Sequence, residues 1–314
     1  MSLDEALFRY EYVDGDDVHF VIAVDRQSRQ IEAIFGYLPC SRAAETSKRD
    51  IWGSMWMVNS THENMPLLSI ELARRVISLV GYRAHIGNGA NPKTTIPLRR
   101  LYFGGKGVAM KHHYMLNLDM VAFKVAVVNQ RRSAPPRTGE SRVGLRAFHS
   151  IEELAQCFDV ESVECIPYKD SWYINKRYIC HPYYTYQVFG VQENGKTGAL
   201  LVARAVRYNG GTVLRIVDYI GEQSLFADLG GLLEGMLKDN QYEYIDFYEH
   251  GFDEPAVAAA GFIRRTADDV NIIPNYFEPF LQVNVEIYAH YKTDGTLFFK
   301  ADGDQDRPNV YVPR

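Results

Sequence analysis

The sequence is poor in cysteine, carries no surplus of basic charge and has no long apolar run. Its four cysteines, Cys40, Cys157, Cys165 and Cys180, show neither a CxxC spacing nor a matching histidine pair, which argues against a zinc ribbon. Four reduced, mostly buried thiols are the expectation, and with them the cytoplasm. No stretch approaches the ~18 apolar residues that a membrane-spanning helix needs. The acidic opening MSLDEALFRYEYVDGDD lacks the basic and apolar regions of a signal peptide. Lys and Arg number 34 against 39 Asp and Glu, for a formal net charge of -5. That balance removes the electrostatic basis of a dedicated nucleic-acid binder. A GxxxxGK[ST] phosphate loop, a nucleophile elbow and a Ser-His-Asp arrangement are also missing.

Aromatic residues are what the chain has in quantity: 21 Tyr, 16 Phe and 3 Trp, which points to sheet-rich cores and a groove lined by amphipathic rings. A hydrophobic content of 46% and a length of 314 residues suit a globular protein of two domains. Asn129 to Gly144, NQRRSAPPRTGESRVG, is polar, basic and without apolar periodicity. It reads as a linker (129–144) between a domain of residues 1–128 and one of 145–314.

Both halves show the same order of elements. In the first, Val18–Val24 and Gln30–Leu38 form a hairpin, and Ile51–Asn59 is a third strand. Leu67–Val80 repeats apolar residues at helical spacing, with Leu68, Leu72, Val76, Leu79 and Val80 on one face. A strand at Ala84–Gly89, a helix at Pro92–Phe103 and a strand at Val108–Leu118 follow. The second half opens with a helix capped by Ser150 and Glu153. It continues through a hairpin (Tyr184–Gln192, Thr197–Arg207), a strand at Thr212–Ile220 and a helix at Ser224–Lys238. A strand at Tyr242–Tyr248, a short helix at Glu254–Ala260 and a long last strand at Leu281–Tyr291 complete it. Phe8-Arg9-Tyr10 before the first hairpin is echoed by Lys176-Arg177-Tyr178 before the second, which supports an internal repeat.

That order, with Leu101-Tyr102-Phe103 and Gly261-Phe262 each after a helix, resembles the GNAT acetyltransferases. Two copies resemble the tandem GNAT proteins, among them bacterial surface-sugar N-acyltransferases and the FemAB-type aminoacyl transferases. The resemblance implies an α+β fold of two GNAT-like domains around a shared cleft, with mixed, mostly antiparallel sheets. It implies transfer of an acetyl or related acyl group from acetyl-CoA to a small-molecule amine, an amino sugar of surface-polysaccharide biosynthesis being the preferred acceptor. The alternatives are a FemAB-like tRNA-dependent transferase, with Arg131, Arg132, Arg137 and Arg142 as its basic hint, and a non-catalytic tandem that binds a sugar or a partner. The family's Q/R-x-x-G-x-G/A pyrophosphate turn is not matched. The first half has Ser60 to Leu67 without glycine, and the second has Gly221, Ser224, Leu225 and Gly230 beside Glu222 and Asp228. The family's catalytic tyrosine is replaced by Arg99 and Val257, with Tyr102 and Tyr248 nearby.

Further candidates come from residue chemistry, and the second half is expected to carry it. Asp246, Tyr248, Glu249 and His250 lie on the strand that borders the acyl group in such folds, and His250 or Asp246 suits a general base. Tyr276 and Glu278, in a proline-clamped aromatic loop, suit a sugar face and its hydroxyls. Asp304, Asp306 and Arg307 in the polar tail suit hydroxyl or amine binding, and fail the requirements of a calcium loop. His112 and His113 are adjacent on a strand and so face opposite sides, and no metal is expected. Trp52 and Trp56 are expected on one strand face, in the core.

Overall fold

The computed structural model describes residues 4–61, 65–132, 141–275 and 281–303. Helix α1 (Glu5–Tyr12) starts at Asp4, whose carboxylate accepts the Leu7 N–H. β1 (Phe20–Val24), β2 (Ile31–Pro39) and β3 (Asp50–Val58) then run antiparallel. Helix α2 (Leu68–Val80) buries Ile70, Leu72, Ala73 and Val76 against them and stops at Gly81, which takes the left-handed conformation. Leu79, expected in the core, is exposed instead. β4 (Ala84–Asn88) returns parallel to β3. Helix α3 (Thr95–Phe103) leads into β5 (Lys106–Ala109).

The strand expected at Val108–Leu118 is two strands, because the chain changes sheets at Met110. β5 stays in the first sheet, while β6 (Lys111–Leu116) enters the second. The second sheet also holds β7 (Val143–Phe148), β8 (Gln187–Glu193), β9 (Lys196–Tyr208) and β10 (Gly211–Gly221), all antiparallel neighbours. Short helices α4 (Ile151–Ala155) and α5 (Ser171–Ile174) lie between β7 and β8. The helix expected at Ser224–Lys238 is a 3-10 run, Gln223–Leu229, followed by α6 (Gly230–Asp239). The break falls at Gly230, where a Cβ would stand 2.5 Å from the Ala260 carbonyl oxygen. β11 (Tyr244–His250), α7 (Glu254–Ala259) and β12 (Ile263–Arg265) follow.

The long last strand is much shorter than expected: only β13 (Tyr288–Tyr291) is extended and paired, and β14 (Phe298–Phe299) comes after it. β13 inserts between β4 and β5, so the first sheet runs β1-β2-β3-β4-β13-β5. The second runs β12-β6-β11-β10-β9-β8-β7, with β14 added on β11. Each sheet therefore contains one strand from the other half of the chain. The fold is mixed α and β, with the largest core where the two sheets meet, around Trp52, Tyr178, Tyr248 and Phe298.

Candidate active site

Each sheet contains one parallel pair of neighbours, and each pair parts company part-way along. β3 and β4 are in register over Asp50–Trp52 and Ala84–Ile86, and then diverge. β10 and β11 pair only at Leu214↔Ile245 and Arg215↔Asp246. The strand before each divergence carries a bulge: Ser54 of β3 is skipped in the ladder with β2, and Val217 of β10 in the ladder with β9. The bulge also corrects the reading of Trp52 and Trp56. One extra residue reverses the parity of the strand, so they face opposite ways. Trp52 packs edge-on against Phe298, whereas Trp56 donates its indole N–H to the Ser69 carbonyl of α2.

The two gaps differ in what occupies them. In the second, β11 already pairs with β6 along one edge, so β14 must take the other, at Glu249↔Phe299 and His250↔Phe298. Phe298 and Phe299 are completely buried, and the Lys300 N–H continues the ladder to the Tyr248 carbonyl at 3.0 Å. The first gap opens into a cavity of about 180 Å³, bordered by Phe35, Gly53, Ser54, Trp56, Gly87, Asn88, Arg99 and His290 among others.

Two imidazoles stand at this slot only because two positions lack side chains. A Cβ on Gly53 would lie 2.4 Å from His85 Nε2, and one on Gly87 would lie 2.3 Å from His290 Nε2. The rings meet edge to face, 4.9 Å between centroids. Arg99 Nη1 lies 3.3 Å from His85 Nδ1. A guanidinium can only donate, so His85 Nδ1 accepts and the ring proton sits on Nε2. The guanidinium carbon lies 4.3 Å from the Trp56 ring centroid and 5.3 Å from that of Phe103. Asn88 ties the slot to the other half, its Nδ2 donating to the carbonyls of Phe299 and Lys300 at 3.2 and 3.3 Å.

Three buried polar atoms here have no hydrogen-bond partner among the described residues: His85 Nε2, Arg99 Nε and Asn88 Oδ1. Burial, reinforced by the Arg99 charge, holds the pKa values of His85 and His290 well below the usual histidine value. Both imidazoles are therefore neutral at pH 7. Burial also brings Arg99 down to about 10, which leaves it charged at that pH.

The residues singled out on the second half have other surroundings. Asp246 is fully buried, 3.1 Å from His112 Nε2 and 3.3 Å from Arg215 Nε. Arg265 Nε donates to His112 Nδ1 at 3.1 Å, which directs the other ring proton at Asp246. Tyr248 stacks on His112 with centroids 3.8 Å apart, and its hydroxyl donates to the Val285 carbonyl. Glu249 meets His113 on the opposite face at 3.1 Å and accepts the Phe252 N–H at 2.9 Å. His250 is half-buried against Tyr291 and Phe298, and burial lowers its pKa.

In the second-half turn, Gly221 (φ +118°) lets β10 pass the Gly198 carbonyl, 2.6 Å from where a Cβ would be. Ser224 bonds Glu222, Leu225 is buried in the core beneath, and Asp228 pairs with Arg142 at 3.0 Å. Arg131 donates to the carbonyls of Leu118 and Val121, and Arg132 lies 3.7 Å from Asp269. Three of the four linker arginines thus have local partners. Arg137, Tyr276, Glu278, Asp304, Asp306 and Arg307 lie outside the described residues. Among the described residues no group of three or more His, Cys, Asp or Glu could hold a metal ion, and no helix is long and apolar enough to cross a membrane.

No protein-family model and no curated protein matches the sequence. Solved structures do. A GCN5-related N-acetyltransferase from Anabaena variabilis ATCC 29413 aligns over 92% of this chain with a TM-score of 0.53 at 10% identity. The fold is the GNAT fold. A conserved protein of unknown function from Enterococcus faecalis V583, described as a probable N-acyltransferase, aligns over 87% at a TM-score of 0.51 and 10% identity. This chain spans 66% and 62% of those two proteins' lengths, short of two thirds in each. Saccharomyces cerevisiae N-myristoyltransferase matches over 95% of this chain and 77% of its own, at 9% identity and a TM-score of 0.44. His85, Asn88 and His290 were not singled out in the sequence. The signal for His85 and Asn88 was the glycine spacing around them, in Gly81-Tyr82-Arg83-Ala84-His85-Ile86-Gly87-Asn88-Gly89.

Proposed function

We propose that the protein is an N-acyltransferase whose chemistry runs in the first half, at the slot between β3 and β4. It would move an acetyl or related acyl group from a CoA thioester to the amine of a small molecule, an amino sugar being the first candidate. The observation that carries this reading is the contrast between the two gaps: one is open and bordered by Asn88 and Arg99, each with a buried polar atom that has no partner among the described residues, and the other is filled by β14. The glycine-walled slot suits the thin pantetheine arm of CoA. The turn from Ser60 to Leu67 has no glycine, so tight backbone wrapping of the pyrophosphate is not part of the proposal.

In this mechanism the amine attacks the thioester carbonyl carbon and the carbon–sulfur bond breaks. A backbone N–H of the parting strands would donate to the oxygen as it becomes negative. Neutral His290 would receive the ammonium proton, and the thiolate would leave with CoA. Asp246, Tyr248, Glu249 and His250 would then brace the wall of the slot through β11 and β14.

Calorimetric titration with acetyl-CoA tests this. Micromolar binding is expected for the wild type. Gly87→Ala, which forces a methyl against His290, should weaken it ~10–100-fold, the equivalent of about 1–3 kcal/mol of overpacking. Asp228→Arg, in the second-half turn, should leave affinity within about twofold, since surface changes away from a site are usually small. Absence of binding by acetyl-CoA, longer acyl-CoAs and free CoA would overturn the reading. A loss confined to Asp228→Arg would move the site to the second half.

A further inference from the structure

The slot contains a charge that the fold leaves unbalanced. Arg99 is 4% exposed, and among the described residues no carboxylate lies within ion-pair distance of it. Its surroundings are the faces of Trp56, Phe35 and Phe103 and the imidazole of His85. Arg83, on the segment leading into β4, shows the ordinary solution: its guanidinium grips Asp50 through two nitrogens. Aromatic faces attract a cation but offer no acceptor in the plane of the guanidinium. Buried charge is normally both paired and hydrogen-bonded, and Arg99 Nε is neither.

A second unsatisfied donor stands beside it. With Nδ1 accepting from Arg99, the His85 proton is on Nε2, which has no partner among the described residues and is covered by Gly53, itself on the cavity wall. The planar guanidinium of Arg99, a fork of N–H donors with one positive charge held between apolar rings, complements a group with two acceptor oxygens and a single negative charge. That description fits a carboxylate. A phosphate dianion would bring more charge than one guanidinium balances.

We propose that the slot takes a substrate bearing a carboxylate, held by Arg99, which His85 positions. The proposal rests on the reading of this slot as the acyl-transfer site, and it names the class of substrate. The carboxylate belongs either to the acyl group, as in a dicarboxylic monothioester, or to the acceptor, as in an amino acid.

Calorimetry on the full-length protein separates the two sources. One arm compares succinyl-CoA with acetyl-CoA. The other compares an amino acid with its amide, in the presence of free CoA. The carboxylate-bearing member of one pair should bind ~10-fold tighter or better, the scale of a charge-assisted contact. Arg99→Met should erase that margin and melt no lower than the wild type, because a buried unpaired cation is replaced by an apolar chain. Should Arg99→Met fail to fold, Arg99→Lys keeps the charge and should reduce the margin without abolishing it.

Equal affinities within both pairs would overturn the proposal. So would a margin that Arg99→Met, or Arg99→Lys where that variant must serve, leaves untouched. Free succinate provides the separating control. If it binds in an Arg99-dependent way while no CoA compound binds at all, the carboxylate site stands and the CoA reading falls.

Discussion

Replacing Lys169 with methionine is expected to destabilise the protein by about 3–5 kcal/mol at neutral pH, because it leaves two buried carboxylates without their cation. Lys169 is 2% exposed and lies 2.5 Å from Asp218 at the β10 bulge and 2.5 Å from Asp302 beyond β14. The Tyr178 hydroxyl is 2.7 Å from Asp218 and 2.9 Å from Asp302, and Tyr173 donates to Asp302 at 2.5 Å. Arg177 holds the intervening Ala301 carbonyl at 2.9 Å. These contacts pin the segment that fills the second gap. Burial opposes the Lys169 charge, yet Asp218 and Asp302 hold its pKa above the ordinary lysine value.

The pH dependence follows from the two acids. Burial pushes Asp218 up to about 6, with Asp302 adding to the rise and Lys169 opposing it. Burial also works against the Asp302 charge, but Lys169 brings its pKa below the usual carboxylate value. A raised acid such as Asp218 contributes most below its unfolded pKa, and that contribution is lost as pH rises through about 6. Without Lys169 both acids lose a cause that lowers them, so both pKa values rise. The deficit of the variant should therefore be greatest above pH 7 and shrink as the pH falls towards 5. Calorimetric melting should show a drop on the order of 10 °C at neutral pH. Adding Asp218→Asn to Lys169→Met should recover part of it. A small deficit that stays constant with pH would show the cluster to be dispensable.

The sequence carried much of the fold because local rules and the global topology agree over most of the chain. The Ser150 cap marks a helix start, and Gly81 ends α2. The alternation of β8 and β9 around Glu193-Asn194-Gly195-Lys196 marks a hairpin. What could not be read depends on pairing between distant segments. Nothing local at Met110 says that the chain leaves one sheet for another, and nothing at Tyr288 says that this strand belongs beside β4. The 3-10 run at Gln223–Leu229 was hidden for a similar reason, since the contact at Gly230 comes from Ala260. The slot was half legible. Arg99 stood out as the residue replacing a tyrosine, but its isolation from carboxylates is a tertiary fact. His290 joins His85 only through the exchanged strand.

That exchange makes the second large expectation: neither proposed domain, 1–128 or 145–314, should fold alone. Fragment 1–128 lacks β13, so the facing edges of β4 and β5 lose the strand that pairs with both and the slot loses His290. Fragment 145–314 lacks β6, which registers with β11 over six residue pairs and with β12 over three. A gap at that place cuts β12 off from the second sheet and bares the edge of β11. It strips Tyr114, Met115 and Leu116 from the core and leaves buried N–H and C=O groups without partners. Expressed separately, each piece should be insoluble or show no cooperative melt. A protease site placed within residues 133–140 of the full chain gives the complementary result. After cleavage the two pieces should co-elute as a single 1:1 species on size exclusion, because the exchanged strands hold them together. The nicked protein should also bind acyl-CoA as the intact chain does, since His85 and Arg99 come from one piece and His290 from the other. Two independently melting fragments would mean that the exchange is not what maintains the sheets, and that the slot needs only the first of them.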